Sequence, residues 1–315
     1  MERMIKLTDE ELIEMFIEDC RIRGLTEKTI EDYKGNVKIF SEFLKRYGRN
    51  LLNIDREIVR EFIKYLRFER KVSLNRIKNY FAGLSTFYEF LIYEGLFERN
   101  IPLEVRKRYV RSYKKDSSNG QRKLLSVEEM AKFINSIADT RDKAIALLFA
   151  KTGIRRGELV DIDLDDINWK EMSITLKPTP KRSNRIVFFD DETAIVLRKW
   201  IRKRETIAKP GCKALFVSYL TGERLDRNGV YYAFVSWAEK AGLHDPDSEK
   251  LEDKFTPHCC RHWFTTWLLR NGMPREYVQE LRGDARNEAI DIYHHIDKEE
   301  LRKAYLAAIP KLGVE

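Results

Sequence analysis

The chain has 315 residues, 43% of them hydrophobic, with 59 Lys and Arg against 51 Asp and Glu for a net charge of +8. That length and apolar content can fill the cores of two globular domains. They exclude a membrane-spanning protein, because the longest apolar pieces are short ones such as AIALLFA (144–150) and nothing nears the run of about 18 residues that a spanning helix needs. MERMIKLTDEEL at the start lacks the apolar core of a secretory signal, so a soluble, cytoplasmic protein with no membrane partner is expected. Cys20, Cys212, Cys259 and Cys260 show no CxxC spacing and read as free thiols.

The first hundred residues predict helices throughout. Thr8 and Glu11 have capping-box spacing. After Thr26, Ile30, Tyr33, Val37, Phe40 and Leu44 recur at helical steps until Gly48. A third helix is expected from about Asp55 to Arg67, and a fourth over SLNRIKNYFAGLSTFYEFLIYEG (73–95), ending at Gly95. Four apolar stripes suffice for a small bundle, placing a helical domain over 1–105.

The texture then changes. RKRYVRSYKKDSSNGQRK (106–123) holds eight Lys or Arg against one Asp, and the apolar period lapses there. This reads as a basic interdomain linker. It is either a solvated tether or a strand tracking a phosphate backbone, the second reading being helped by Tyr109 and Tyr113 among the charges.

The second domain, 124–315, opens with a capping box at Ser126 and Glu129, and helices follow to about Lys151. MSITLK (172–177) and RIVFF (185–189) flank the turn-rich PTPKRSN and predict a β-hairpin with a basic tip. Helices resume to the end, with Pro257, Pro274 and Asp297 at helix starts. The expected fold is therefore mainly α with a small β-hairpin or sheet: an N-terminal helical bundle and an α+β catalytic domain.

Three stretches carry chemistry-bearing residues. In TGIRRGELVDIDLDDI (152–167) a helix ends at Gly153 and is followed at once by Arg155, Arg156 and Glu158. An arginine fork there can grip phosphate oxygens with a carboxylate steadying it, or the group is a capped helix with a surface ion pair. In TPHCCRHWFTTWLLRNG (256–272), Pro257 starts a helix on which His258 and Arg261 share a face one turn apart, at an end that favours anions. Zinc would require a third ligand and the HExxH arrangement, which is absent, so no metal or cofactor is expected. The third stretch, IDIYHHID (290–297), sets Tyr293, His294 and His295 between aspartates.

Together these stretches resemble the tyrosine recombinase family, the phage-integrase and Xer-type site-specific recombinases. TGIRRGEL stands for the family's TGxRxxEL, TPHCCRHWFTTWLLRNG for HxxRHxFAxxLLxxG, and LRGDARNEAIDIYHHID for LxGHxxxxxTxxYxH. The wording LRGD with IDIY is most similar to archaeal integrase-like members. The resemblance implies a DNA-gripping helical domain ahead of a catalytic one. It also implies cutting and rejoining of strands through a 3′-phosphotyrosyl intermediate, for integration or excision of a mobile element or resolution of DNA multimers. Arg155 and Arg261 would bind the scissile phosphate, Glu158 support the first of them, and His258 hydrogen-bond the phosphate and assist proton transfer. Tyr293 would be the nucleophile. The hairpin lysine that protonates the leaving 5′ oxygen would be Lys181, with Lys177 as the alternative. Asp284 departs from the pattern, standing where most members have His or Trp, nine residues before Tyr293. It would hold an arginine or cap the tyrosine-bearing helix, leaving His294 or His295 as donor. Implied partners are double-stranded DNA with a specific recombination site, further copies of the chain (a dimer per site, a tetramer on paired sites) and accessory DNA-bending proteins. Two competing readings are a type IB topoisomerase, which relaxes supercoils with similar residues, and a noncatalytic sequence-specific DNA-binding protein.

Overall fold

Local chain chemistry sets the elements of the first part of the molecule. The computed structural model describes residues 7–111, 123–178, 185–248, 250–283 and 296–314. The chain divides into two compact units, Met1–Asp116 and Ser117–Glu315. In the first, α1 (Asp9–Ile22) opens with the reciprocal Thr8–Glu11 capping box, and α2 (Glu27–Lys45) with Thr26 accepting from the Thr29 N–H. Asp55 caps α3 (Arg56–Lys64), which continues as a π turn, Tyr65–Glu69. Ser73 caps α4 (Leu74–Tyr93), and Asn100 caps α5 (Ile101–Tyr109). α5 carries packed chain past residue 105, where the apolar pattern gives out: Val105 and Val110 both lie in the core of this unit.

That core is rich in aromatic rings. Phe40, Phe43 and Phe62 meet at centroid distances of 4.8 to 6.5 Å, within the range where offset and edge-on pairs add to simple burial. Buried Asp9 accepts hydrogen bonds from the Ser41 hydroxyl and the Leu51 N–H, and the Tyr88 hydroxyl donates to the Leu51 carbonyl. Two polar side chains thus fix the start of α1, the middle of α2 and the turn after it onto α4.

In the second unit α6 (Val127–Ser136) and α7 (Thr140–Thr152) precede the short α8 (Arg156–Asp161). Three antiparallel strands follow, β1 (Ile167–Asn168), β2 (Ser173–Leu176) and β3 (Arg185–Phe188), in the order β1-β2-β3 with Ile174 opposite Val187. The expected hairpin is therefore the larger part of a three-stranded sheet. α9 (Asp191–Glu205), α10 (Arg227–Lys240), α11 (Pro257–Arg270), α12 (Arg275–Arg282) and α13 (Lys298–Ala308) complete the described α-helices. α7 is the central helix, with every residue from Ala144 to Thr152 buried.

Burying Lys151 on α7 requires compensation, since an isolated ammonium in low dielectric is prohibitive. Its Nζ lies 2.6 Å from both Asp190 and Glu192 and donates to the Pro310 carbonyl at 2.7 Å. The Lys151 carbonyl in turn accepts from the Tyr305 hydroxyl, and Glu192 Oε1 accepts from the N–H groups of Leu312 and Gly313. The tail after α13 is thereby held against its own unit, where Leu312 and Val314 are 3% exposed. The apolar stripe of α13 faces the same way: Leu301, Tyr305, Ala308 and Ile309 are buried with Phe188, Phe264 and Leu281. In the free chain this stripe packs on its own domain.

Candidate active site

The site begins where α7 stops. Gly153 adopts left-handed backbone (φ 61°, ψ 19°), a conformation that costs an L side chain energy. A Cβ there would lie 2.4 Å from Cδ1 of the Phe264 ring, so glycine is required twice over. Gly153→Ala is expected to lower stability by about 1–3 kcal/mol or more, through overpacking added to backbone strain, read from a denaturant midpoint. An unchanged midpoint would mean that Phe264 moves freely aside.

Beyond this turn Ile154 is buried and Arg155 becomes the residue before α8. Glu158 folds back to accept the Arg155 N–H at 2.6 Å, and its other oxygen is 3.4 Å from Arg155 Nη1. The carboxylate therefore holds both the backbone and the guanidinium of Arg155. Its strongest side-chain partner is one that the sequence pattern does not reveal. Arg185, at the start of β3, makes a two-pronged contact with Glu158 at 2.6 and 3.0 Å, the geometry in which a guanidinium grips a carboxylate best.

Burial alone would raise the Glu158 pKa, but the hydrogen bond and charge of Arg185, then the Arg155 N–H and charge, outweigh it and hold the carboxyl below its ordinary range. A carboxylate whose pKa is lowered on folding contributes stability above the unfolded-state value and loses it as pH falls through the lowered one. Denaturant midpoints measured on descending below the ordinary carboxylate range should fall less steeply in Glu158→Gln than in the parent. Parallel curves would show that the pair does not couple to folding.

Arg261 arrives from α11. Pro257 occupies the first turn of that helix, as its fixed φ suits. His258 is exposed, while Arg261, one turn on, is 4% exposed. Arg261 Nη1 donates to the Gly153 carbonyl at 2.6 Å and Nη2 to the Arg282 carbonyl at 2.7 Å. Arg155 Nη1 reaches the same Arg282 carbonyl at 3.5 Å, and Arg185 Nε donates to the carbonyl of Leu281 at 3.0 Å. Three guanidiniums thus converge on the last carbonyls of α12, where the helix dipole favours positive charge. Gly283 ends α12 in the left-handed region (φ 59°), and a Cβ there would meet Arg185 Cδ at 2.7 Å.

Arg155, His258 and Arg261 line one cleft of about 290 Å³, together with Arg156, Arg227 and Pro257. The His258 and His262 rings stand edge to face, 4.7 Å apart, as positions one turn apart on a helix allow. Such a cationic cleft, opening at a helix start, suits an oxyanion with several free oxygens. Lys177, at the end of β2, has its ammonium on Asp163 at 2.5 Å and near Asp166 at 3.7 Å. Lys181, Asp284, Tyr293, His294 and His295 lie outside the described residues. Among the described residues no three His, Cys, Asp or Glu side chains gather as metal ligands, and no helix is long and apolar enough to cross a membrane.

These features define a mainly helical protein whose second unit brings distant arginines together around one cationic cleft. Residues 123–300 match the phage integrase family, and residues 12–96 match the phage integrase N-terminal SAM-like domain. The chain belongs to the phage integrase family, the tyrosine recombinases. Among its relatives, tyrosine recombinase XerC of Leptospira interrogans is 26% identical over 306 residues, covering 95% of this chain and 93% of that protein. Tyrosine recombinase XerD of Listeria monocytogenes is 28% identical over 316 residues, covering 96% and 99%. The fold is shared with the Tn1549 transposon integrase in complex with transposon right end DNA, at a TM-score of 0.69 and 19% identity over 93% of this chain and 97% of that one. It is shared as well with a lambda integrase tetramer bound to a Holliday junction, at a TM-score of 0.69 and 18% identity over 94% and 81%.

Proposed function

We propose that this protein is a site-specific recombinase that cuts and rejoins double-stranded DNA through Tyr293. The observation that carries the reading is the meeting of Arg155, His258 and Arg261, from separate motifs, in one anion cleft, in a chain of the phage integrase family. With His258 assisting the passage of its phenolic proton to solvent, the Tyr293 oxygen attacks the scissile phosphorus, forming a 3′-phosphotyrosyl bond as the bond to the 5′ oxygen breaks. Lys181 gives that oxygen its proton. Lys177 is the less suitable donor because Asp163 and Asp166 already hold its ammonium. A 5′-hydroxyl from another strand then attacks the phosphotyrosyl bond, restores a phosphodiester and returns the tyrosine. Arg155 and Arg261 offset the charge that builds on the phosphate oxygens, and His258 donates to one of them. Glu158 holds Arg155, while Asp284 holds an arginine or caps the segment bearing Tyr293, leaving His294 or His295 as the further donor.

In this reading the helical domain (1–105), the basic linker (106–123) and the catalytic domain (124–315) all engage the DNA. Two protomers occupy each site and four act on paired sites in the cytoplasm, with accessory DNA-bending proteins as further partners and archaeal integrase-like proteins as kin. Relatives named as recombinases at 26% and 28% identity over nearly the whole chain favour this over supercoil relaxation or DNA binding alone. The test uses a duplex recovered by binding from a random-sequence pool and nicked so that a cut strand end is lost. Incubated with excess EDTA, the protein should become covalently attached to DNA, with the attachment mapping to the peptide holding Tyr293. Failure to form the adduct, or its mapping to another tyrosine, would refute the assignment.

A further inference from the structure

Two arginines in the cleft are left unused by this mechanism. Arg156 follows Arg155 directly, and Arg227 is the first residue of α10. The fold brings them together, with Arg156 held by a backbone and a ring contact from α10. Arg156 Nη1 reaches the Arg227 carbonyl at 3.5 Å, and its guanidinium carbon lies 5.1 Å from the centre of the Tyr231 ring, one turn along α10. The Arg227 guanidinium lies over Gly157, where a Cβ would come within 2.9 Å of Nη2 and 3.1 Å of Cζ. A side chain at Gly157 would push the end of Arg227 from this position.

Charge makes the arrangement informative. Among the described residues, four arginines, Arg155, Arg156, Arg227 and Arg261, line the cleft, and no carboxylate lines it with them. Of the described acids close in sequence, Glu158 is held by Arg185 and Arg155, and Asp226 caps the Gly229 N–H. Among the described residues neither Arg156 nor Arg227 forms an ion pair, and both are exposed at the cleft. Like charges gathered this way repel one another unless an anion is shared between them. One phosphate on Arg155, His258 and Arg261 leaves the second pair without a counter-charge among the described residues, whereas a DNA strand brings its next phosphate after only about 3.4 Å of rise.

We infer that Arg156 and Arg227 form a second phosphate subsite, which grips a phosphate neighbouring the scissile one on the same strand. The inference rests on the proposed strand-cutting function and adds a contact that fixes which phosphate is presented to Tyr293. A strand held at two successive phosphates cannot slide by one nucleotide without losing one of them.

Ethylation interference tests this by binding alone. The probe is a duplex selected for binding from a random-sequence pool and ethylated at about one phosphate per molecule. The parent should show two adjacent interfering phosphates on one strand. Arg156→Gln combined with Arg227→Gln should keep the interference at one and lose it at its neighbour, with affinity for the unmodified duplex down by about tenfold or more. An unchanged pattern in the double variant would overturn the inference. So would loss of both phosphates together in a variant with the parent's circular dichroism and thermal midpoint, or recovery of no duplex by the parent. The suicide-substrate experiment reports separately: a paired footprint without a covalent adduct would sink the strand-cutting reading and leave the subsite standing.

Discussion

Replacing Arg261 by alanine should slow formation of the covalent DNA adduct by at least about 10²–10³-fold, the loss typical when one preorganised donor to a developing oxyanion is removed. The structure gives reason to expect the upper end. Arg261 is nearly buried and its two outer nitrogens are engaged by the Gly153 and Arg282 carbonyls, so it is held in place before any phosphate arrives. Its removal strips both carbonyls of a donor, at about 1–3 kcal/mol for a buried group left unmade, and the rate must be measured where circular dichroism shows the variant folded. Arg261→Lys should recover little, because an ammonium cannot span two carbonyls and a phosphate in one plane. Arg155, with a side chain 37% exposed, supplies the control: Arg155→Ala should depress the rate while moving the thermal midpoint far less. Wild-type adduct formation by Arg261→Ala would remove this arginine from the phosphate.

The second large effect concerns stability. Lys151→Met should destabilise the second unit by about 3–5 kcal/mol, the usual result of removing one partner from a buried ionic group. The ammonium is fully buried between Asp190 and Glu192, and methionine fills a similar volume while leaving two carboxylates facing each other. Burial pushes both acids up, and Lys151 is the main influence bringing them below their ordinary range. Without it their folded pKa values should rise above the unfolded ones, so protonation would relieve the strain. The gap in denaturant midpoint between parent and variant should therefore narrow as the pH falls. A gap that is constant with pH would assign the loss to packing. Glu192 also holds Leu312 and Gly313, so hydrogen exchange at those amides should rise in the variant.

The parts of this molecule that were legible in its sequence are those fixed by short-range chemistry. The Thr8–Glu11 and Ser126–Glu129 boxes form as their spacing predicts, because a cap is satisfied within one turn. Gly153 and Pro257 mark a helix end and a helix start for equally local reasons. Asp297 caps α13 in the same way. What could not be read is pairing between distant segments. Glu158 was expected to serve Arg155 alone, yet its two-pronged partner is Arg185 on β3, and only the oddity of a charged residue opening an apolar strand hinted at it. Arg227 carries no motif, and it reaches the cleft because α10 packs beside α8. The direction taken by the stripe of α13 was likewise undecidable, since an amphipathic face does not name what covers it.

The end of α12 has a consequence for how errors spread. The carbonyls of Leu281 and Arg282 receive Arg185, Arg155 and Arg261, and the chain from Gly283 leads within ten residues to Tyr293. A displacement of this helix end would carry Arg155, Arg185 and Arg261 in the same direction as Gly283, from which the chain leads to the proposed nucleophile. The mutual alignment of the three arginines is thus buffered against motions that would scatter independently mounted groups. Substitutions that tilt α12 should accordingly be milder than ones that cut a single arginine loose from it.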